Sequence, residues 1–121
     1  MKSRWAFVAA TLTGLTTPAS ADANLRQELA KPVVATLKSN KEPAELELCV
    51  ADAVGRSLLP VSFRADVSGT VHMFGFAGLM GSGTVQRVVS LVRTSQGTRV
   101  EVRTHSGRPD DALVKVLVGC V

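Results

Sequence analysis

The chain has 121 residues, an apolar content of 45%, two cysteines and a formal net charge of +4. This length suits one domain, and the apolar content excludes a disordered chain. Two cysteines are too few for a disulfide-dense mini-protein. No apolar run reaches the ~18 residues that a membrane-spanning helix requires.

The first 21 residues have the layout of a secretory signal peptide. Two basic residues precede an uncharged apolar segment at 5–15, Pro18 follows it, and Ala19 and Ala21 are small residues at the recognition positions. We predict cleavage after Ala21, and cleavage after Ala23 also fits. The mature protein is therefore expected to be periplasmic or secreted, with no transmembrane span after processing.

Removal of the predicted signal peptide weakens the case for a nucleic-acid partner. Residues 1–21 contain Lys2 and Arg4 but no acidic residue, so the net charge falls from +4 to +2 and 100 of the 121 residues remain. A weakly positive exported domain has no need of a polyanion partner, and the chain has few aromatic residues on which bases could stack.

Cys49 and Cys120 are the two cysteines. In an oxidising compartment they allow a single intramolecular pairing, which predicts one disulfide. The chain lacks a Cys-x-x-Cys redox motif and the closely spaced ligands of a zinc site. Intermolecular pairing or free thiols are the alternatives.

We divide the mature chain into a partly helical segment at 22–41, interrupted by Pro32, and a single domain at 42–121. Glu42-Pro43 begins the first helix of the domain, because proline suits the first helical turn. Gly55 is expected to end this helix in the left-handed conformation. One apolar face has helical spacing: Leu46, Cys49, Val50 and Ala53.

Alternating apolar and polar residues predict four strands, at 59–67, 70–76, 84–94 and 98–104. Ser68-Gly69 is predicted as a turn, and 95–97 as a three-residue hairpin loop with glycine in the left-handed conformation. The segment 75–83 has four glycines and is predicted as a bulged or looped connection.

Pro109 is predicted to begin a C-terminal helix, with Asp110 and Asp111 in its first turn. Its valines favour a strand, so a fifth strand is the alternative. The predicted fold is α+β: a four-stranded antiparallel sheet with N-terminal and C-terminal helices on one face and the other face partly exposed. The apolar positions of the last helix are Leu113, Val116, Leu117 and Cys120.

Four strand arginines are candidates for a binding surface on the open sheet face: Arg64, Arg87, Arg99 and Arg103. One interpretation is a solvated polar face, partly neutralised by Asp66 and Glu101. The other is a surface that binds an acidic cell-envelope polymer or an acidic protein partner.

His72 and His105 are the two histidines. His72 shares a strand face with Phe74 and Phe76, which predicts a half-buried, hydrogen-bonded side chain, and His105 falls in a loop. A small enzyme would place one of them beside a carboxylate or hydroxyl in a concave pocket. The histidine spacing gives no metal motif, and we expect no metal and no cofactor.

The glycine-rich segment lacks the motifs of a phosphate-binding loop and of a nucleophile elbow. Phe76, Leu79 and Met80 could instead form an apolar lip. We therefore predict a small exported binding or interaction module of unknown ligand, not an enzyme. The alternatives are a small periplasmic enzyme that uses His72 or His105, and an envelope-associated protein whose lip contacts lipid or a hydrophobic partner.

Overall fold

A computed structural model describes residues 25–56, 61–77 and 84–121. The predicted signal peptide, both candidate cleavage sites, and Leu79 and Met80 lie outside these residues. A helical turn at 25–29 comes first. The elements that follow are β1 (Ala35–Ser39), α1 (Pro43–Val54), β2 (Val61–Ala65), β3 (Val71–Phe76), β4 (Val85–Thr94), β5 (Gly97–Thr104) and α2 (Asp111–Val118). None of the helices in the described ranges has the length and apolarity needed to cross a membrane.

The strands form one antiparallel sheet in the order β1-β5-β4-β3-β2. The α+β class and the antiparallel sheet are confirmed. The sheet has five strands, however, and the prediction of four was wrong because it omitted β1.

β1 lies in the segment that we predicted to be partly helical. Pro32 does end the helical turn, but the chain then extends along β5, where Ala35 pairs with Val102 and Leu37 with Val100. Side-chain burial alternates along this strand: Thr36 and Lys38 are exposed, whereas Ala35 and Leu37 are partly buried. One isolated helical turn is unstable by itself, whereas pairing with β5 satisfies the backbone along the whole segment.

α1 begins at Pro43, the residue from which its start was predicted. The backbone N–H of Glu42 donates to Glu45 Oε1 at 2.9 Å, which satisfies a donor just before the first turn. The predicted left-handed cap is wrong: Gly55 has φ −83°, and its N–H donates to the Ala51 carbonyl at 2.9 Å. The last turn thus closes with ordinary right-handed backbone.

The C-terminal segment is a helix, so the fifth strand that we considered there is wrong. α2 begins two residues after Pro109, because Asp110 Oδ1 accepts the N–H of Leu113 at 3.1 Å and caps the first turn.

Two glycines lie where an added Cβ would crowd neighbouring atoms. Gly97 has φ 136°, and a Cβ there would collide with the Ser39 carbonyl at the end of β1. The β4–β5 loop has two residues, one fewer than predicted, because Gly97 already pairs with Thr94. A Cβ on Gly75 would lie 3.0 Å from Val54 Cγ1. The β3–β4 register shifts between Gly75 and Phe76, at the start of the segment predicted as a bulged or looped connection, and residues 78–83 of that segment lie outside the described residues.

The main core lies between the helices and one face of the sheet. α1 packs against β3, β4 and α2. Its buried residues join those of α2 and of the three central strands. The buried members include Leu46, Val50, Met73, Val89, Leu91, Val100, Val102, Leu113 and Leu117.

A smaller core cluster lies on the opposite face of the sheet. Leu25 packs there with Phe74, Val85 and Val88, and Phe76 is partly buried against them. The helical turn at 25–29 thus covers part of the second face, and no other helix of the described residues packs there.

The predicted disulfide is confirmed. Cys49 and Cys120 are bonded, with their Cα atoms 5.8 Å apart and a sequence separation of 71. Lys41 Nζ also donates to the Cys120 carbonyl at 2.9 Å. Both contacts fasten the C-terminal end to the start of the domain.

Candidate functional site on the outer face of the sheet

We call the sheet face opposite α1 the outer face. Strand alternation and register align a polar row across it, one residue from each strand. In sheet order the row is Thr36, Glu101, Ser90, His72 and Arg64. The rows on either side bring Lys38, Arg99 and Arg103 to the same face.

His72 connects β4 to the β2–β3 turn. Its Nδ1 lies 2.7 Å from Ser90 Oγ, and its Nε2 lies 3.0 Å from Asp66 Oδ2. Its ring centroid is 6.4 Å from that of Phe74, and only 13% of the side chain is exposed. His72 thus has hydrogen-bond partners, as predicted, and its side chain is more deeply buried than the half-buried position that we expected.

Asp66 is held as an anion by the turn that it begins. Its Oδ1 accepts the Ser68 hydroxyl at 2.6 Å, the Ser68 N–H at 2.9 Å and the Thr70 N–H at 3.2 Å. The Ser68 hydroxyl, followed by the contact with His72, lowers the pKa of Asp66 from 3.8 to about 2. The carboxylate is thus a fixed negative charge at one end of the outer face.

An aspartate, a histidine and a serine in hydrogen-bonded sequence are the groups of a nucleophilic triad, but exposure excludes that role here. Ser90 is only 1% exposed. A nucleophilic hydroxyl must reach a substrate carbonyl, and this one is almost inaccessible to solvent. The contacts fasten the β2–β3 turn to β4.

The cationic part of the outer face lies on β1 and β5. Lys38 stands directly opposite Arg99 in the antiparallel register. Lys38 is exposed and has no ion pair among the residues that the structure describes, and the Arg99 side chain is 42% exposed. Two like charges therefore face each other across adjacent strands, an arrangement that is destabilising by itself.

One carboxylate partly neutralises this cluster. Arg99 Nε donates to Glu101 Oε2 at 2.8 Å, and Arg103 Nη1 lies 3.7 Å from Glu101 Oε1. Arg103 is only 16% exposed, and its Nε donates to the Lys31 carbonyl at 2.9 Å. Arg103 thus serves mainly to hold the N-terminal segment, whereas Lys38 and Arg99 remain open to a ligand.

The other two predicted arginines lie elsewhere. Arg64 is on the outer face but on β2, three strands and roughly 14 Å from β5. Arg87 lies on the helix-facing side beside Gly75, and its Nη1 is 3.8 Å from Asp110 Oδ2. The expected gathering of four arginines is therefore reduced to the pair Arg99 and Arg103.

Sequence reasoning missed Lys38 because it assigned this segment to a broken helix. The signal that could have found it is the alternation of Ala35 and Leu37 with Thr36 and Lys38.

His105 lies at the end of β5 and contacts the N-terminal segment. Its Nδ1 is 3.1 Å from Glu28 Oε2 and 3.0 Å from Lys31 Nζ, and Lys31 Nζ also donates to the His105 carbonyl at 3.0 Å. Glu28 is buried and His105 is about half exposed. This cluster attaches the helical turn to the sheet.

A shallow polar cavity of about 290 Å³ lies between the ends of β4 and β5 and the start of α2. Arg87, Arg108 and Asp110 are among its lining residues. Asp110 already caps α2, and neither histidine belongs to the described lining. The pocket that an enzyme based on His72 or His105 would need is therefore not this cavity.

The apolar lip lies mostly outside the described residues. Phe76, its one described member, is partly buried against the smaller core cluster. Within the described ranges, no group of three or more histidine, cysteine, aspartate or glutamate side chains is placed to hold a metal ion.

Comparison with known proteins found no matching family, no similar curated protein and no similar solved structure.

Proposed function

We propose that the chain is an exported, non-enzymatic binding module that takes an anionic cell-envelope polymer on its outer face. We call Lys38 and Arg99 the cationic pair. The observation that carries the proposal is their direct cross-strand opposition, with both side chains open to solvent. An anion bound between them would relieve their repulsion.

The chemistry of the pair suits carboxylate, phosphate or sulfate groups. A guanidinium presents a planar set of N–H donors that matches two anionic oxygens, and the lysine adds a mobile point charge. The site is a surface at a sheet edge, without enclosing walls. Such a surface favours a repeating polymer, which makes several weak contacts, over a small enclosed ligand.

Export is supported by two features of the chain. Its first 21 residues have the layout of a cleavable signal peptide. The Cys49–Cys120 disulfide is of a kind that persists mainly in oxidising compartments.

The binding proposal is tested with the oxidised protein and two probes, polyphosphate and poly-glutamate, titrated calorimetrically at low and high salt. Lys38→Glu should weaken binding at least about tenfold, or roughly 1.4 kcal/mol. Lys115→Glu is the matched control, because it makes the same charge change at an exposed position on α2. Added salt should weaken the binding of the unmodified chain.

If Lys38→Glu and Lys115→Glu weaken binding equally, only the net charge of the chain matters. That result would contradict a binding site on the outer face. Failure of the unmodified chain to bind either probe at low salt would also contradict the proposal.

A further inference from the structure

The two cysteines of the disulfide differ in their exposure to solvent. Cys49 is exposed on α1, whereas Cys120 is 3% exposed and belongs to the main core cluster. The sequence placed Cys49 on the apolar face of α1, but the other three residues of that face are the ones that are buried: Leu46, Val50 and Ala53. The bond therefore runs from the surface of the domain into its core.

This difference in exposure determines which sulfur a thiol can attack. An attacking thiolate must reach the sulfur to which it bonds, so the rate of thiol–disulfide exchange depends on which sulfur is attacked and on access to it. Access to Cys49 is from solvent. Access to Cys120 is nearly closed, because neighbouring core residues cover it.

We propose that Cys49 is the site at which external thiols open the disulfide in the folded protein, with Cys120 as the leaving group. The attacking thiol loses its proton, and its sulfur bonds to Cys49 Sγ while the bond to Cys120 breaks. Cys120 leaves as a thiolate and takes up a proton. A second thiol then attacks the external sulfur of the mixed disulfide and releases Cys49. In total, two thiols are oxidised to one disulfide and the two cysteines are reduced.

The charges near the two cysteines favour this direction of cleavage. Lys41 Nζ donates to the Cys120 carbonyl at 2.9 Å, so an ammonium group lies beside the residue that leaves, and a neighbouring cation stabilises a thiolate. Cys49 instead has Glu45 four residues before it and Asp52 three residues after it, both exposed and on the same side of α1. Cleavage that leaves the negative charge on Cys120 is therefore favoured.

The last residues of the chain have contacts that do not require the disulfide. The Cys120 N–H donates to the Leu117 carbonyl at 2.9 Å, and the Val121 N–H donates to the same carbonyl at 3.3 Å. These hydrogen bonds hold the C-terminal end to α2 when the sulfur–sulfur bond is broken. We therefore expect the bond to open and re-form without unfolding of the domain.

The first test measures how fast dithiothreitol, an uncharged dithiol, reduces the disulfide-intact chain at urea concentrations below the unfolding transition. Intact mass after alkylation gives the rate. Reduction in the folded state should change less than about twofold for each molar of urea. A bond that opens only after unfolding would be reduced roughly fivefold faster, or more, for each molar of urea. That steeper dependence would overturn the proposal.

A second test compares the two sulfurs directly. Cys120→Ser leaves the Cys49 thiol and Cys49→Ser leaves the Cys120 thiol, and circular dichroism checks that each variant is folded. The Cys49 thiol should react with dithiodipyridine, an uncharged aromatic disulfide, at least about tenfold faster than the Cys120 thiol. Equal rates in two folded variants would contradict attack at Cys49. If either variant unfolds, the urea dependence of the unmodified chain still decides.

A third test examines the leaving group. Lys41→Gln should slow reduction by dithiothreitol about threefold, because the cation beside Cys120 is lost. Mere loosening of the C-terminal end would speed the reduction instead. Lys115→Gln is the matched control, since it removes the same charge from an exposed position on α2. Faster reduction of Lys41→Gln, or equal rates for the two variants, would contradict the role of Lys41.

Discussion

Asp66 is the residue at which the β2–β3 turn meets the outer face. One oxygen of its carboxylate accepts hydrogen bonds from the turn, and the other contacts His72. These donors stabilise the charged form and lower the pKa of Asp66 to about 2. A short stretch of chain thus places an anion on the outer face, at the opposite edge of the sheet from the cationic pair.

Asp66→Asn is predicted to reduce the acid sensitivity of the fold. The pKa of Asp66 in the folded state, about 2, lies below the ordinary value of 3.8. The carboxylate therefore stabilises the fold above pH 3.8, and this contribution disappears as the pH falls through about 2. Urea midpoints of the variant should change less than those of the unmodified chain between these pH values. Asp52→Asn, an exposed α1 carboxylate, is the control, and an identical pH dependence of both variants would contradict the assignment.

At the scale of elements, the disulfide joins α1 to the end of α2. It closes a loop of 71 positions, so the loop-entropy relation gives about 4 kcal/mol of stabilisation as an upper expectation. The double variant Cys49→Ala/Cys120→Ala should lose up to that amount in urea unfolding. Reduction of the unmodified chain should produce a comparable loss. A change below about 1 kcal/mol in both experiments would show that the unfolded chain gains little freedom when the bond is absent.

Elements with a long or well-marked pattern could be predicted from the sequence. α1 follows from Pro43 and its apolar spacing, and the strands from β2 to β5 follow from alternation. β1 has only five residues, and its Leu37 also fits a helical spacing with Leu25, Leu29 and Val33. Its assignment depended on pairing with β5, which no local pattern reveals.

The contacts on the outer face also depend on strand pairing that no local sequence pattern reveals. The sequence indicated that Arg99, Arg103 and His72 would lie on the sheet, but not which strand would stand beside each. The His72–Ser90 contact joins positions 18 apart, and the opposition of Lys38 to Arg99 depends on a strand that was not predicted. Strand register is set by turn length and core packing, so it cannot be predicted from the composition of a strand alone.

At the scale of the whole molecule, the two faces of the sheet have different surroundings. The helices and the main core lie on one face, and the helical turn at 25–29 covers part of the other. The cationic pair lies on the outer face. Within the described residues, this division places the proposed binding surface on the side of the sheet away from the main core.

Export followed by oxidation is the central prediction for this chain. Expression of the 121-residue chain in a bacterial host and intact-mass analysis of the periplasmic extract test both at once. We predict a protein that begins at Asp22, or at Asn24 for the alternative cleavage, and that lacks the two thiol hydrogens of Cys49 and Cys120. A full-length cytoplasmic product with both thiols free would contradict the account.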